Sequence, residues 1–420
     1  MNRIPLLIAA LAAALGAASL PTAKPEEVGF SSERLQRIHD MVMRRIEAGQ
    51  LSGAVTLVAR RGRVVQHEAL GVMDLDSKKP MTKDTLFRLA SSSKPVTAVA
   101  VLILMEEGKL KLTDPVSKYI PEFRNARVLV EAERAPEPMT DRPASAEKTY
   151  TVPAARDITI IDLLTHTSGL ASGGPTNAEF MKLRSARKPA ETLADFIPRL
   201  GALPLDFEPG TRWRYSGLAA FDTLGRIVEI VSGMTFDQFL RTRLFEPLGM
   251  NDTFFNVPEK DRPRLATIYT RTAKGLAKPS NPLVIGSPAY FSGAGGLVST
   301  AADYFQFAQM LCNGGEWNGK RILSPWTVDL MMRNNVGDLF LGQIGRPPKG
   351  VGFGLGGEVV LNGAEARMRK PDGSYGWDGA FGTYWWVNRR ERMVAIFFVQ
   401  TPGREHQYDF DNAVSQAVVE

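Results

Sequence analysis

Apolar residues recur at helical spacing directly after Ser31-Ser32-Glu33: Leu35, Ile38, Val42 and Ile46 fall on one face, and Gly49 closes the pattern. The spacing then becomes that of strands, with Ala54 to Ala59 and Arg63 to Ala69 joined at Arg61-Gly62 in the manner of a hairpin. A matching pair stands near the other end, Thr383 to Val387 and Met393 to Gln400 around the polar turn 388–392, and a closing helix follows from about Asp409. These patterns predict one antiparallel sheet assembled from both ends of the chain. Between the ends the chain reads as mainly helical, with a long apolar helix from Ser92 to Glu107 ended by Gly108 and further helices near Thr159 to Leu164, Ala190 to Leu200 and Ala219 to Val231. The predicted fold class is α+β, an antiparallel sheet flanked by helices with an inserted, mainly helical lobe. Residues 24–90 and 285–420 form the α+β lobe, and 91–284 the helical one. Residues 124–157, rich in Pro, Ala and charge, read as a surface excursion, a solvated loop rather than a lid over a cleft.

The extreme N-terminus follows another rule. A positive start with Arg3, an apolar run from Leu6 to Leu15 and the small residues Gly16-Ala17-Ala18-Ser19 read as a secretory signal peptide, assigned to residues 1–23. The apolar run is shorter than the roughly 20 residues that span a bilayer, so no stable membrane anchor is expected. No cysteine lies near the cleavage zone to carry a lipid. The mature protein is therefore expected outside the cytoplasm, periplasmic or secreted.

Composition narrows the function classes. With 420 residues, 44% hydrophobic and 23% charged, the chain can build a substantial core in two lobes. The single cysteine, Cys312, cannot form an internal disulfide and follows Met310-Leu311 in an apolar helical run, which reads as buried packing. His39, His67, His166 and His406 show no ligand spacing, and His67-Glu68 lacks the second His of a zinc-protease helix, so no metal is expected. The net charge of +6 is spread without a Lys/Arg stripe that could track phosphates, so nucleic acid is not the expected partner.

Candidate chemistry begins at Ser91. Leu86 to Ala90 reads as extended, and Ser91-Ser92-Ser93-Lys94-Pro95 starts the long apolar helix with Pro in its first turn, where proline is tolerated. Ser91 then sits at a helix N-terminus, whose free N–H groups favour the negative charge that develops during attack on a carbonyl. A spacing of three residues puts the Lys94 amine over the Ser91 hydroxyl. To take the serine proton that amine must be neutral, a form that burial among Val96 to Met105 favours. S-x-x-K by itself is common, and Ser91 to Ser93 read equally well as cap residues ahead of an exposed lysine. The context has to decide.

That context is Phe87-Arg88-Leu89-Ala90-Ser91-Ser92-Ser93-Lys94, leading into Met105-Glu106-Glu107-Gly108-Lys109-Leu110 and Leu112-Thr113-Asp114-Pro115-Val116. It resembles the serine β-lactamase and penicillin-binding-protein superfamily, nearest to class C β-lactamases and the family VIII carboxylesterases. The likeness continues through Asp162-Leu163-Leu164-Thr165-His166-Thr167-Ser168-Gly169-Leu170, Pro209-Gly210-Thr211-Arg212-Trp213-Arg214-Tyr215-Ser216 and Gly293-Ala294-Gly295-Gly296-Leu297-Val298-Ser299-Thr300, and so covers nearly the whole mature chain.

The resemblance implies that Tyr215 is the third catalytic residue, sharing protons with Lys94 and Ser91 so that protonation belongs to the three together. It also implies that Trp377-Asp378-Gly379-Ala380 stands for the family's Lys-Thr-Gly element. The Ala380 and Ser91 N–H groups would then be the two oxyanion-hole donors, each worth about 3 kcal/mol of barrier in such sites. Trp377, Asp378, Gly379 and Gly217 would line the substrate. Two of these depart from the family: Trp377 replaces the lysine that meets a substrate carboxylate, and Gly217 replaces the Asn of Tyr-x-Asn. Both losses weaken recognition of a penicillin or of a peptide ending in a carboxylate, whereas an apolar wall at Trp377 suits the alkyl or aryl portion of an ester. The expected reaction is hydrolysis of a small-molecule carboxylic ester through an acyl-enzyme on Ser91, without a cofactor. Hydrolysis of a β-lactam, D-amino peptide or amide by the same serine is the alternative, and a non-catalytic sensor of cell-wall fragments is the reading from another class.

Two further motifs are set aside. His166 invites a Ser-His-Asp triad, but no serine lies in G-x-S-x-G and the segment around His166 resembles a structural turn. Gly352 to Gly357 satisfies G-x-G-x-x-G, yet β-branched Val359-Val360 follow where a dinucleotide fold needs a helix, so the segment reads as a glycine-rich strand.

Overall fold

A capped helix leads into the sheet: Ser31 Oγ accepts the Arg34 N–H at 3.3 Å and starts α1, Ser32–Glu47, which buries Leu35, Ile38, Met41 and Val42. The computed structural model describes residues 20–131, 149–279, 287–340 and 349–420. The leader reading thus falls almost wholly outside the described residues, as do positions 132–148 of the 124–157 excursion.

After α1 come β1, Gly53–Arg60, and β2, Arg63–Asp74. Arg61 and Gly62 between them both take positive φ, 54° and 74°, the two-residue turn whose twist matches the flanking strands. The sheet is completed by β3 (Lys79–Pro80) and by five strands from the far end of the chain: β4 (Val351–Phe353), β5 (Glu358–Val360), β6 (Tyr375–Asp378), β7 (Tyr384–Asn388) and β8 (Met393–Phe398). Their order is β4-β5-β6-β7-β8-β1-β2-β3, antiparallel at every junction. The β1–β8 seam, with Val55 opposite Phe398, joins the two ends of the chain as the patterning predicts.

The helices that matter for the site are α2 (Lys94–Glu106), α3 (Asn177–Ser185), α4 (Ala219–Ser232), α5 (Ala301–Cys312) and α6 (Arg404–Ser415). Both faces of the central strands are covered. Met393, Ala395 and Phe397 of β8 join a core with α1 and α6, while Val394, Ile396 and Phe398 join the larger core shared with α2, α4 and α5. That two-sided burial explains why β1 reads as a nearly unbroken apolar run. α2 is buried at every residue from Lys94 to Leu104, which makes it the axis around which the helical lobe packs.

Several elements differ from the expectation. The long helix starts as a 3₁₀ turn, Ala90–Ser93, before α2 proper. Only Phe87–Arg88 of the extended segment before it is a strand, and it pairs with Val298–Ser299 apart from the main sheet. The glycine-rich strand is instead the hairpin β4–β5, turned by a Gly354 N–H to Gly357 C=O bond of 2.8 Å. The excursion carries a ribbon, Arg127–Glu131 against Thr149–Pro153, which local patterning missed because the partners are separated by a long polar stretch. α6 starts at Arg404, directly after Gly403, rather than at Asp409. Cys312 is buried as expected, and burial pushes its thiol up to about 12. Among the described residues no helix is long and apolar enough to cross a membrane.

The contact that joins α5 to the sheet is aromatic. Fully buried Trp385 of β7 meets Tyr304 and Phe307 of α5 and Tyr375 of β6 at edge-to-face angles. Trp385→Ala is expected to cost about 3–5 kcal/mol of unfolding free energy, measured by urea denaturation. A loss below about 1 kcal/mol would show that this packing does not hold the helix to the sheet.

Candidate active site

Ser91 is presented by an abrupt turn. The Leu89 N–H bonds to Leu297 C=O at 2.9 Å, and its carbonyl accepts the Thr383 hydroxyl at 2.9 Å, so the approach to the serine is fixed from two sides. Ala90 then takes φ 46°, a left-handed conformation that a residue with a Cβ rarely adopts. The chain swings from the Phe87–Arg88 strand into the 3₁₀ turn, with Ser91 half-buried at its exposed side.

Lys94 is the first residue of α2 and is fully buried. Its Nζ lies 3.1 Å from Ser91 Oγ, 2.7 Å from Gly217 C=O and 2.8 Å from Ala294 C=O. The two carbonyls accept from Nζ and fix its position, and the side of the amine they leave open faces the Ser91 hydroxyl. On the other side Tyr215 Oη lies 2.7 Å from Ser91 Oγ. The serine oxygen therefore stands between two groups that can exchange a proton with it, both within hydrogen-bond reach.

Tyr215 is gripped by His166. The amides on either side of the tyrosine both end there, Arg214 N–H on His166 C=O at 3.1 Å and Ser216 N–H on His166 Nδ1 at 3.2 Å. The two rings lie 4.6 Å apart between centroids. His166 takes φ 59° and is fully buried, and burial, with the Lys94 charge second, holds its imidazole well below the usual histidine range. With Nδ1 accepting a backbone N–H, the neutral ring carries its hydrogen on Nε2. His166 is thus a support for Tyr215, in keeping with the structural turn expected there.

The predicted lining residues divide. Trp377 Nε1 approaches Tyr215 Oη at 3.5 Å, and its indole packs against Phe353. At 4% exposure the ring backs the tyrosine more than it offers a free wall to a substrate. Asp378 is a correction to the sequence reading. Alternation along β6 turns it to the other face of the sheet, where Oδ2 accepts the Gln407 side chain of α6 at 3.4 Å. Gly379 has no room for a Cβ, which would stand 2.2 Å from Leu89 O, so glycine lets β6 pass against the loop that carries Ser91. Ala380 follows in an exposed turn. Gly217 contributes its carbonyl to Lys94, and a Cβ there would meet only Tyr215 Cε1 at 3.9 Å.

Two contributors escaped the sequence reading. Ala294 acts through its carbonyl, which no side-chain motif reports. Asp222, fully buried in the first turn of α4, accepts bonds from Tyr290 Oη (2.8 Å), Ser292 Oγ (2.6 Å) and Ala294 N–H (3.0 Å), and so fixes the strand of chain that holds Lys94. Burial pushes its carboxyl up, against these hydrogen bonds. Its only sequence signal is an acid inside the apolar run Ala219-Ala220-Phe221-Asp222-Thr223-Leu224.

A serine between a buried lysine and a tyrosine, at the junction of a helical lobe and an antiparallel sheet, defines a serine hydrolase. The family model described as Beta-lactamase matches residues 38–418, and the chain belongs to that family. It is 37% identical over 371 residues to an uncharacterized protein of Mycobacterium tuberculosis, covering 84% of this chain and 87% of the relative. To esterase EstB of Burkholderia gladioli it is 30% identical over 412 residues, covering 92% and 94%. Among solved structures it is similar to EstCE1, a hydrolase with promiscuous acyltransferase activity, at TM-score 0.75 and 29% identity over 91% of this chain and 99% of that one. Simvastatin synthase LovD from Aspergillus terreus shares the fold at TM-score 0.75 and 23% identity, over 92% and 98% of the two chains.

The buried histidine makes stability depend on pH. Below about pH 6.5 the unfolded chain binds a proton at His166 that the folded chain excludes, so stability falls as pH falls, by up to about 1.4 kcal/mol per unit. His67 and His406, both lowered to about 4 mainly by burial, act in the same direction. Between pH 7.5 and 5.5 the loss of stability measured by urea unfolding is expected to be smaller by about 1.4 kcal/mol in total, about 0.7 kcal/mol per unit, in His166→Phe than in the parent protein. Equal slopes would mean that the ring is charged in the fold.

Proposed function

We propose that the protein hydrolyses carboxylic esters through an acyl-enzyme on Ser91. The observation that carries this reading is the placement of Ser91 Oγ 3.1 Å from Lys94 Nζ and 2.7 Å from Tyr215 Oη, with the remaining Lys94 donors engaged by Gly217 and Ala294. Ser91 Oγ attacks the ester carbonyl carbon as its proton passes to Lys94 or to a Tyr215 phenolate. The negative oxygen is met by the Ser91 and Ala380 N–H groups. The proton then moves to the alkoxy oxygen, the C–O bond breaks, and the alcohol leaves the acyl group on Ser91. Water, deprotonated by the same pair, attacks the acyl carbonyl and restores the serine.

The preference for esters rests on the two departures. Trp377 brings no cation to a lactam or peptide carboxylate, and Gly217 brings no amide side chain. Relatives named esterase EstB and, in Penicillium rubens, lovastatin esterase (29% identical over 400 residues) support the same direction. The leader-like N-terminus supports export, for which the mass of the mature protein recovered from the periplasm or medium is the test: loss of about 20 residues is expected, and an intact Met1 in the cytoplasm would overturn it.

Ser91→Ala is expected to reduce hydrolysis of 4-nitrophenyl butyrate to background, and Tyr215→Phe to lower kcat by about 10²- to 10⁴-fold. Undiminished turnover in the serine variant would sink the assignment. On a single preparation the butyrate ester is expected to show a higher kcat/KM than a cephalosporin, and the reverse order would transfer the reading to lactams.

A further inference from the structure

We propose that a cavity next to Ser91 receives an acyl group ending in a carboxylate, which Arg187 and Arg184 bind at its mouth. This rests on the reading of Ser91 as the group that becomes acylated, and it specifies the acyl class.

The cavity, about 130 Å³, lies between the end of α3 and the segment 287–296. Two of its lining residues, Leu218 and Gly295, directly follow Gly217 and Ala294, whose carbonyls hold Lys94. A Cβ built on Gly295 would stand 3.4 Å from the Ala90 carbonyl carbon, so this wall touches the loop that carries the nucleophile. An acyl group seated in this cavity has Leu218, Phe180, Phe196 and Phe255 as its apolar neighbours. These side chains give the cavity an apolar portion that accepts methylenes or a ring, beside the polar Ser287, Tyr290, Ser292 and Asp222.

The mouth is cationic. The Arg187 guanidinium carbon sits 3.8 Å from the centroid of the Tyr290 ring, which is itself held by Asp222 through its hydroxyl. Seated over the ring and interacting with the Tyr290 hydroxyl, the guanidinium keeps further N–H groups that can pair with a planar anion. Arg184 lines the same cavity from the last turn of α3. Among the described residues neither arginine has a carboxylate partner, whereas Arg156, Arg199 and Arg226 of the same lobe are paired with Asp162, Glu191 and Glu229. The one acid lining the cavity, Asp222, has both oxygens engaged by Tyr290, Ser292 and Ala294. The C-terminal end of α3 contributes about half a negative charge at most, against two full positive ones. Trp377 stands on the sheet strand β6, whereas these arginines stand at the end of α3 and just beyond it.

The probes are mono-4-nitrophenyl glutarate, whose acyl group ends in a carboxylate, and the 4-nitrophenyl ester of methyl glutarate, its neutral counterpart. The parent protein is expected to favour the anionic ester by about tenfold or more in kcat/KM. That ratio is expected to fall about tenfold in Arg187→Ala and in Arg184→Ala, through KM rather than kcat, and to be partly restored in Arg187→Lys. A parent ratio at or below one, or a ratio unmoved by both alanine variants, would overturn the proposal. Calorimetric binding of glutarate to Ser91→Ala protein, and its loss when Arg187→Ala is added, reads the pocket without turnover. If glutarate binds in this Arg187-dependent way while neither ester is hydrolysed, the pocket stands and the nucleophile reading fails. If the neutral ester is hydrolysed and glutarate does not bind, the pocket fails and the nucleophile reading stands.

Discussion

The amine of Lys94 is the constraint around which the rest is arranged. Removing an ammonium from water costs several kcal/mol, and even a neutral amine must have its N–H groups satisfied inside a fold. The chain meets that demand with carbonyls from two distant stretches, at Gly217 and Ala294, and with Ser91 from the lysine's own turn. One side chain thereby pins three segments together. Tyr215 is two residues from one of these carbonyls, and Asp222 fixes the other, so the contact that satisfies the lysine also sets the distance from serine to tyrosine. Packing and chemistry here are one arrangement.

That arrangement was only partly readable beforehand. Ser91 and Lys94 are marked by their spacing and Tyr215 by its motif, because side chains carry those signals. Gly217 and Ala294 act through the backbone, which sequence does not label by function. The sequence marks His166 as part of a turn, and it is one, but that the turn holds both amides flanking Tyr215 depends on a contact across 50 residues. Asp378 shows the opposite failure: the two-residue period of a strand already separates it from Trp377, but choosing its face required the register of β6 in the sheet. The fold was more legible than the site. Helix caps, the Arg61-Gly62 turn and the apolar runs of β1, β7 and β8 are local features, whereas the ribbon Arg127–Glu131 with Thr149–Pro153 is stabilised by a pairing that no local window contains.

The inner side of the site is aromatic. Trp213, Phe353 and Trp377 pack around Tyr215, and the neutral ring of His166 closes its inner side. On that side, around the buried Lys94 and His166, charges act on one another more strongly than they would in water. The buried acid beside the site, Asp222, is kept occupied by three donors.

The β1–β8 seam has a consequence for how the molecule comes to exist. Val55 finds its partner Phe398 only when almost the whole chain has been made, so one edge of β1 waits, apolar and unpaired, through synthesis of everything between. Long-range pairing of this kind slows folding, and an open edge invites pairing with other chains. Loss of the last strand would therefore not trim the protein but leave its central strand as an adhesive surface, which makes the final thirty or so residues the ones that decide solubility.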